Sequence, residues 1–343
     1  MSDASNIFSR KNDHIRINLN EDVSSGAASG FADFTLQHCA LPEVSLKEIS
    51  TKTSFLGMEY EFPFLISSMT GGTKEGAIIN ENVARAAEAR GVGMGLGSQR
   101  AVLEQESVAH TFSLRKFAPT IPIYANIGAV QLNYGVSSDD CLRLVDMVEA
   151  NGLIFHLNPL QEALQPEGDT NFADLLSKIE VVCKKSSSPV IVKEVGWGIS
   201  AEIAQALISV GVSAIDVAGS GGTSWSQVEM YRSKDEHQKQ IAADFRDWGL
   251  STAYALYALK NSKFNSPVIA SGGLRNGIEV AKSLALGADL CGMAGRLLRS
   301  ATISAEKVIE DLDEIIQETR IAMFACGAST VAQMKNTPIF QNK

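Results

Sequence analysis

No apolar run in the chain approaches the roughly 20 residues that a bilayer crossing requires. The opening MSDASNIFSRKND has none of the apolar stretch of a secretion signal. A cytoplasmic protein with no membrane contact is therefore expected. Cysteine is sparse: Cys39, Cys141, Cys183, Cys291 and Cys326 stand far apart without a C-x-x-C pair. They read as buried thiols of a reducing compartment, not as a disulfide framework. The absence of any His-x-His or Cys/His cluster argues against zinc. Positive charge is also short, with 30 Lys and Arg against 39 Asp and Glu for a net −9. That balance excludes a general nucleic-acid or anionic-membrane surface, so an anionic ligand would have to be met by local cations.

What is present is a repeat. From Phe64 onward, short apolar runs end in small or polar residues, and an amphipathic helix usually follows. The runs are FPFLISS, GVGMGLGSQ, IPIYANIG, GLIFHLNP, PVIVKEVG, AIDVAG, PVIASGG and DLCGMAG. Uniformly apolar strands suit a parallel sheet buried on both faces. Eight βα units predict a (β/α)8 TIM barrel within an α/β class. A doubly wound sheet is the alternative, but Gly91-Val92-Gly93-Met94-Gly95 precedes or lies within a strand and does not follow one, as a dinucleotide fingerprint would. The expected division is one domain over 1–343, with a leader over 1–61, the barrel over 62–300, and a C-terminal helix and tail over 301–343. The leader is expected to cover one mouth of the barrel. A polar insert from Trp225 to Trp248 reads as a lid or a subunit contact, which makes a homo-oligomer the expected assembly.

Active sites of such barrels lie at the carboxyl ends of the strands. The residues there are Ser67 to Gly72, Gly97 to Arg100, Asn126, His156 to Asn158, Lys193 and Glu194, Gly219 to Thr223, Ser271 to Gly273, and Ala294 with Gly295. Ser68 and Thr70 have helix capping as a plain structural alternative. The glycines after the last three strands are placed to bring backbone N–H groups up to a phosphate. Lys193 would be costly to bury unpaired, so an anion should face it, either a reduced flavin or Glu194. His156 and Asn158 alternate and share a face. Gln161 and Glu162 are expected in the loop beyond them, Glu162 as a lone carboxylate suited to Mg²⁺ bridging to phosphate. Arg10, Lys11 and His14 form a short cationic patch in the leader, and Arg100 could complete an anion clamp with it.

RKNDHIRI, SSMTGG, GLGSQR, HLNPLQE, VKEVGWGIS, AGSGGTSW, SGGLRNG and GMAGRLL, in this order, closely resemble the type 2 isopentenyl-diphosphate isomerase family. HLNPLQE and the leader RKxxH carry most of the specificity; SGGLRNG and MAGR occur more widely in FMN and phosphate barrels. The resemblance implies interconversion of isopentenyl and dimethylallyl diphosphate with FMN and Mg²⁺, with NADPH as one candidate reductant of the flavin. It implies FMN contacts from Ser68, Met69, Thr70, Ser98, Asn126, Lys193, Thr223, Gly273, Ala294 and Gly295. It implies diphosphate contacts from Arg10, Lys11, Ser98, Gln99 and Arg100, with His14, His156 and Asn158 beside them. Gln161 would stand at the reacting carbon, with His156 and Asn158 in the catalytic group, and Glu162 would hold the metal.

Two other classes share parts of this pattern. Dehydrogenases of the inosine-monophosphate type need a cysteine after the sixth strand, where GSGGTSW has none. Flavin 2-hydroxy-acid oxidases need a histidine near a seventh-strand arginine, and PVIASGGLRNG supplies no histidine. A non-catalytic flavin binder would not require the polar density of HLNPLQE.

Overall fold

The structure is a computed structural model and describes residues 3–342, with side chains from Ser9 onward. Eight parallel strands close into a barrel: β1 (Phe64–Ile66), β2 (Gly93–Gly95), β3 (Ile123–Gly128), β4 (Gly152–His156), β5 (Val190–Lys193), β6 (Ala214–Asp216), β7 (Val268–Ser271) and β8 (Leu290–Met293). Closure comes from β8 pairing with β1, Cys291 opposite Phe64 and Met293 opposite Ile66. All eight expected runs are strands. Nearly every strand residue is buried, because one face packs inside the barrel and the other meets the helices.

Helices begin and end where local chemistry dictates. The helix Lys74–Arg90 starts at Thr73, whose hydroxyl accepts from the Gly76 N–H, and stops at Gly91, which is left-handed at φ 59°. The long C-terminal helix Ala305–Ala325 packs on that helix and on Gly277–Ala285. Gly277 permits the close approach: a Cβ there would lie 2.3 Å from the Ile315 carbonyl oxygen.

The leader does more than cover one mouth. Helix α1 (Asp3–Asn20) lies at the carboxyl end of the barrel, where its residues line the cavity described below. The hairpin of Thr53–Phe55 and Met58–Tyr60 plugs the opposite end. Between them, Phe34–Leu36 pairs antiparallel with Ile339–Gln341, so the tail is held by the leader. The polar insert is also ordered differently from a loop. It forms helices α2 (Trp225–Arg232) and α3 (Glu236–Asp244), and α2 packs against α1. No helix of the described residues is long and apolar enough to cross a membrane.

Candidate active site

A cavity of about 320 Å³ opens at the carboxyl ends of the strands, roofed by α1 and α2. Its floor is glycine-rich. The loops after β6, β7 and β8 meet there, and the last leads directly into the helix Gly295–Ala301. Several of these glycines serve loop against loop and do not bare backbone to a ligand. A Cβ on Gly272 would lie 2.0 Å from the Gly219 oxygen, and φ there is +99°. Gly295 differs: the nearest atom to its notional Cβ is the Thr223 hydroxyl at 3.4 Å, so it faces open cavity.

This floor fits a phosphorylated flavin on chain chemistry alone. The buried hydroxyls of Ser67 and Ser68 have no hydrogen-bond partner, an expensive state unless a ligand supplies one. Both line the cavity beside Met69, Thr70, Asn126, Lys193, Thr223, Gly273, Ala294 and Gly295. Neither Ser68 nor Thr70 caps a helix; Thr73 does.

The wall opposite carries a continuous polar network. Gln161 Nε2 donates to Glu229 Oε1 at 3.0 Å, and His14 Nε2 lies 3.2 Å from the same oxygen. Arg232 donates to the other Glu229 oxygen. Asn158 Nδ2 donates to Gln161 Oε1 at 3.2 Å and to Glu162 Oε1 at 2.9 Å. The second Glu162 oxygen accepts from the Gln165 amide and, at 2.8 Å, from the Asp169 N–H. Asn158 Oδ1 is buried and unpartnered. His156 Nδ1 lies 2.8 Å from Asn126 Oδ1; because that oxygen only accepts, Nδ1 carries the proton and Nε2 keeps a free lone pair.

Burial sets the charge states. It pushes His156 down to about 3, helped by the facing Lys193 and Arg10, so this ring is neutral. It lowers His14 as well, against the pull of Glu229. At Glu229 burial works upward, but the hydrogen bonds from His14 and Gln161 and the Arg232 charge prevail and hold the carboxyl below its usual range. Glu229 is ionised and fully paired. Lys193 and Asp216 face each other across β5 and β6; burial lowers the lysine and raises the carboxyl, each opposed by the other's charge. Lys193 Nζ itself donates to the Glu194 carbonyl at 2.6 Å.

Every residue to which the resemblance assigns a contact or catalytic role lines this cavity except Gln99. Gln99 is fully buried, with its amide oxygen accepting from the Asn126 N–H at 3.0 Å, so it props the β3 strand and does not reach a ligand. Gln161 and Glu162 also sit differently from the expectation: they belong to the helix Pro159–Leu164 and are buried. Nor is Glu162 the lone carboxylate of the mouth, since Glu229 stands on the same wall. Glu229 was not legible because WSQVEMYR lies within the polar insert and carries no motif of its own.

The model of the FMN-dependent dehydrogenase family matches residues 160–341. An (S)-mandelate dehydrogenase mutant superposes with TM-score 0.70 at 16% identity, covering 99% of each chain. A flavocytochrome b2 mutant with pyruvate bound gives 0.67 at 18%, covering 98% of this chain and 84% of that one. At such identity the likeness is one of fold. Fold and family model together define a flavin-type (β/α)8 barrel of the FMN-dependent dehydrogenase class. Closer relatives narrow this. The isopentenyl-diphosphate delta-isomerase of Nostoc sp. (strain PCC 7120) is 46% identical over 342 residues, 99% of this chain and 97% of its own. That of Synechocystis sp. (strain PCC 6803) is 48% identical over 335 residues, 97% and 96% of the two chains. The chain belongs to the isopentenyl-diphosphate delta-isomerase family, in its FMN-dependent type 2 form.

Proposed function

We propose that the enzyme interconverts isopentenyl diphosphate and dimethylallyl diphosphate on a reduced FMN, with Mg²⁺ at the diphosphate. The observation that carries this reading is the Gln161–Glu229–His14 chain, set between a cationic rim and a glycine-rich phosphate floor. Moving the double bond adds one proton to the carbon skeleton and removes another. When bound, reduced FMN supplies an acid–base group beside the alkene without net redox change. Ser68, Met69, Thr70, Asn126, Lys193, Thr223, Gly273, Ala294 and Gly295 would hold it.

The chain's own groups then divide the work. Arg10, Lys11, Ser98 and Arg100 bind the diphosphate and fix the hydrocarbon end over the floor. His156, neutral, offers its Nε2 lone pair to that end of the cavity. Gln161 cannot take up a proton at neutral pH, but its amide is oriented at both ends, by Asn158 and by Glu229. Glu229, held ionised, fixes the Gln161 amide and the His14 ring through one oxygen, so its work is to orient the groups that face the reacting carbon. Glu162 is the carboxylate toward a cation. The described residues hold no group of three or more His, Cys, Asp or Glu able to cage a metal. That donor set suits Mg²⁺ completed by phosphate oxygens and water.

The test is incubation of purified protein with isopentenyl diphosphate, FMN and Mg²⁺, with and without a reductant. Dimethylallyl diphosphate should form only under reducing conditions. Full turnover with oxidised flavin would sink the reading.

A further inference from the structure

Arg100 and Glu162 come from different strand ends, yet one residue touches both. The chain leaves the helix Pro159–Leu164 and turns back through Gly168 on to that helix. A Cβ on Gly168 would lie 1.7 Å from the Glu162 carbonyl oxygen, so glycine is required for this return. The return places the Asp169 N–H 2.8 Å from Glu162 Oε2. The Asp169 carboxylate then points the other way. Its Oδ2 accepts from Arg100 Nη1 at 2.5 Å and from Gln131 Nε2 at 2.9 Å. The Asp169 side chain is 14% exposed and that of Arg100 28%, so the pair is partly shielded from water and screened less than a surface ion pair.

We propose that Asp169 is a positioning residue that sets the spacing between the cation subsite and the diphosphate subsite. Its main chain holds the carboxylate that faces the metal, and its side chain holds the arginine that faces the diphosphate. Arg100 Nε is tied to Glu104 at 3.2 Å, and Nη1 to Asp169. Among the described residues nothing engages Nη2, so that nitrogen remains for a phosphate oxygen. Gln131 steadies the carboxylate from β3's side, which keeps the arginine from following Glu104 outward. The proposal rests on the diphosphate and Mg²⁺ reading above.

The two legs of Asp169 can be separated. Asp169→Ala removes the side-chain leg and keeps the backbone N–H on Glu162. The probe is inorganic pyrophosphate, titrated into the FMN-loaded protein with Mg²⁺ present, for Asp169→Ala, Arg100→Ala and the double variant. Each single change should weaken binding by about 10-fold or more, the scale of one charge-assisted contact. The double variant should bind within about threefold of Arg100→Ala alone, because Asp169 acts through that arginine. The Mg²⁺ activation midpoint should stay near the parent value in Asp169→Ala, whereas a collapsed loop would move it. Asp169→Asn, which keeps the shape, covers the case in which Asp169→Ala fails to fold, and should show the same non-additivity with a smaller loss. Losses that multiply in the double variant, or parent-like affinity in Asp169→Ala, would overturn the positioning role. A parent protein that binds no pyrophosphate with Mg²⁺ would instead remove the diphosphate reading, and this inference with it.

Discussion

Gln161 is the residue whose replacement separates chemistry from binding. Its amide is pinned by Asn158 on one side and Glu229 on the other, and it carries no charge for a diphosphate. Gln161→Ala should therefore cut kcat by about 10²–10⁴-fold, the range of lost acid–base assistance, with little change in KM. Glu229→Gln should fall in the same range, and the double variant should lose little beyond the worse single one, since both act in one chain. Flavin absorbance after gel filtration checks that the cofactor site survives. If Gln161→Ala turns over at the parent rate, the hydrogen-bonded chain is not part of proton handling. Half of this chain was legible: HLNPLQE packs three polar side chains directly after an apolar strand, which core packing would not tolerate. Glu229 gave no such signal. Its partners Gln161 and His14 lie 68 and 215 residues away, and only folding brings them to one carboxylate.

At the scale of an element, α1 acts as a charged roof. Arg10, Lys11 and His14 fall at positions that share one helical face, and all three line the cavity. The cluster RKNDH was visible as a cationic patch in an acidic protein, but not the helix that aims it. Lys11 shows what that roof costs. Its Nζ donates to the Ser98 carbonyl at 2.8 Å. Burial, with Arg10 nearby, lowers it to about 7. The sign follows directly. A diphosphate prefers the protonated lysine, and the free protein loses that proton as pH rises through 7. Binding above pH 7 must then be accompanied by proton uptake at Lys11, and affinity should fall across that step. Lys11→Arg keeps its charge and should flatten the profile; Lys11→Ala should raise KM more than it lowers kcat. Calorimetric titration with pyrophosphate in buffers of different ionisation enthalpy reads the uptake. Equal uptake in the parent and Lys11→Arg would place the titrating group elsewhere. The insert α2 teaches the converse. Its polar sequence gives no sign of burial, yet Ser226, Gln227 and Glu229 are all buried, because α1 and the helix Pro159–Leu164 cover it.

Across the whole molecule, function and stability occupy opposite ends of one barrel. The carboxyl end keeps unpartnered hydroxyls and buried charges, all of them costs to folding. The amino end is sealed by apolar packing: Leu65, Ile154, Ile191, Ala214, Ile269 and Leu290 from the strands, closed by Phe55 and Tyr60 of the hairpin. The eight strands were readable because burial on both faces leaves an apolar run whatever the neighbours are. The plug was not, since TSFLGMEY alone does not say which end of a barrel it fills. Within it, the hydroxyls of Tyr60 and Tyr124 are hydrogen-bonded to each other at 2.9 Å, with the rings 2% and 0% exposed. Burial raises both phenols, so they stay protonated at working pH. Tyr124→Phe leaves the Tyr60 hydroxyl buried without a partner and should destabilise the fold by about 1–3 kcal/mol. Replacing both tyrosines with phenylalanine removes donor and acceptor together and should recover much of that loss. Denaturant unfolding of the three proteins measures the order, while kcat and FMN content should be parent-like in each, because no atom of the plug reaches the cavity. A single variant as stable as the parent would show that the pair contributes nothing. A fall in kcat with stability unchanged would mean instead that the sealed end transmits strain to the site, and the separation of the two ends would fail.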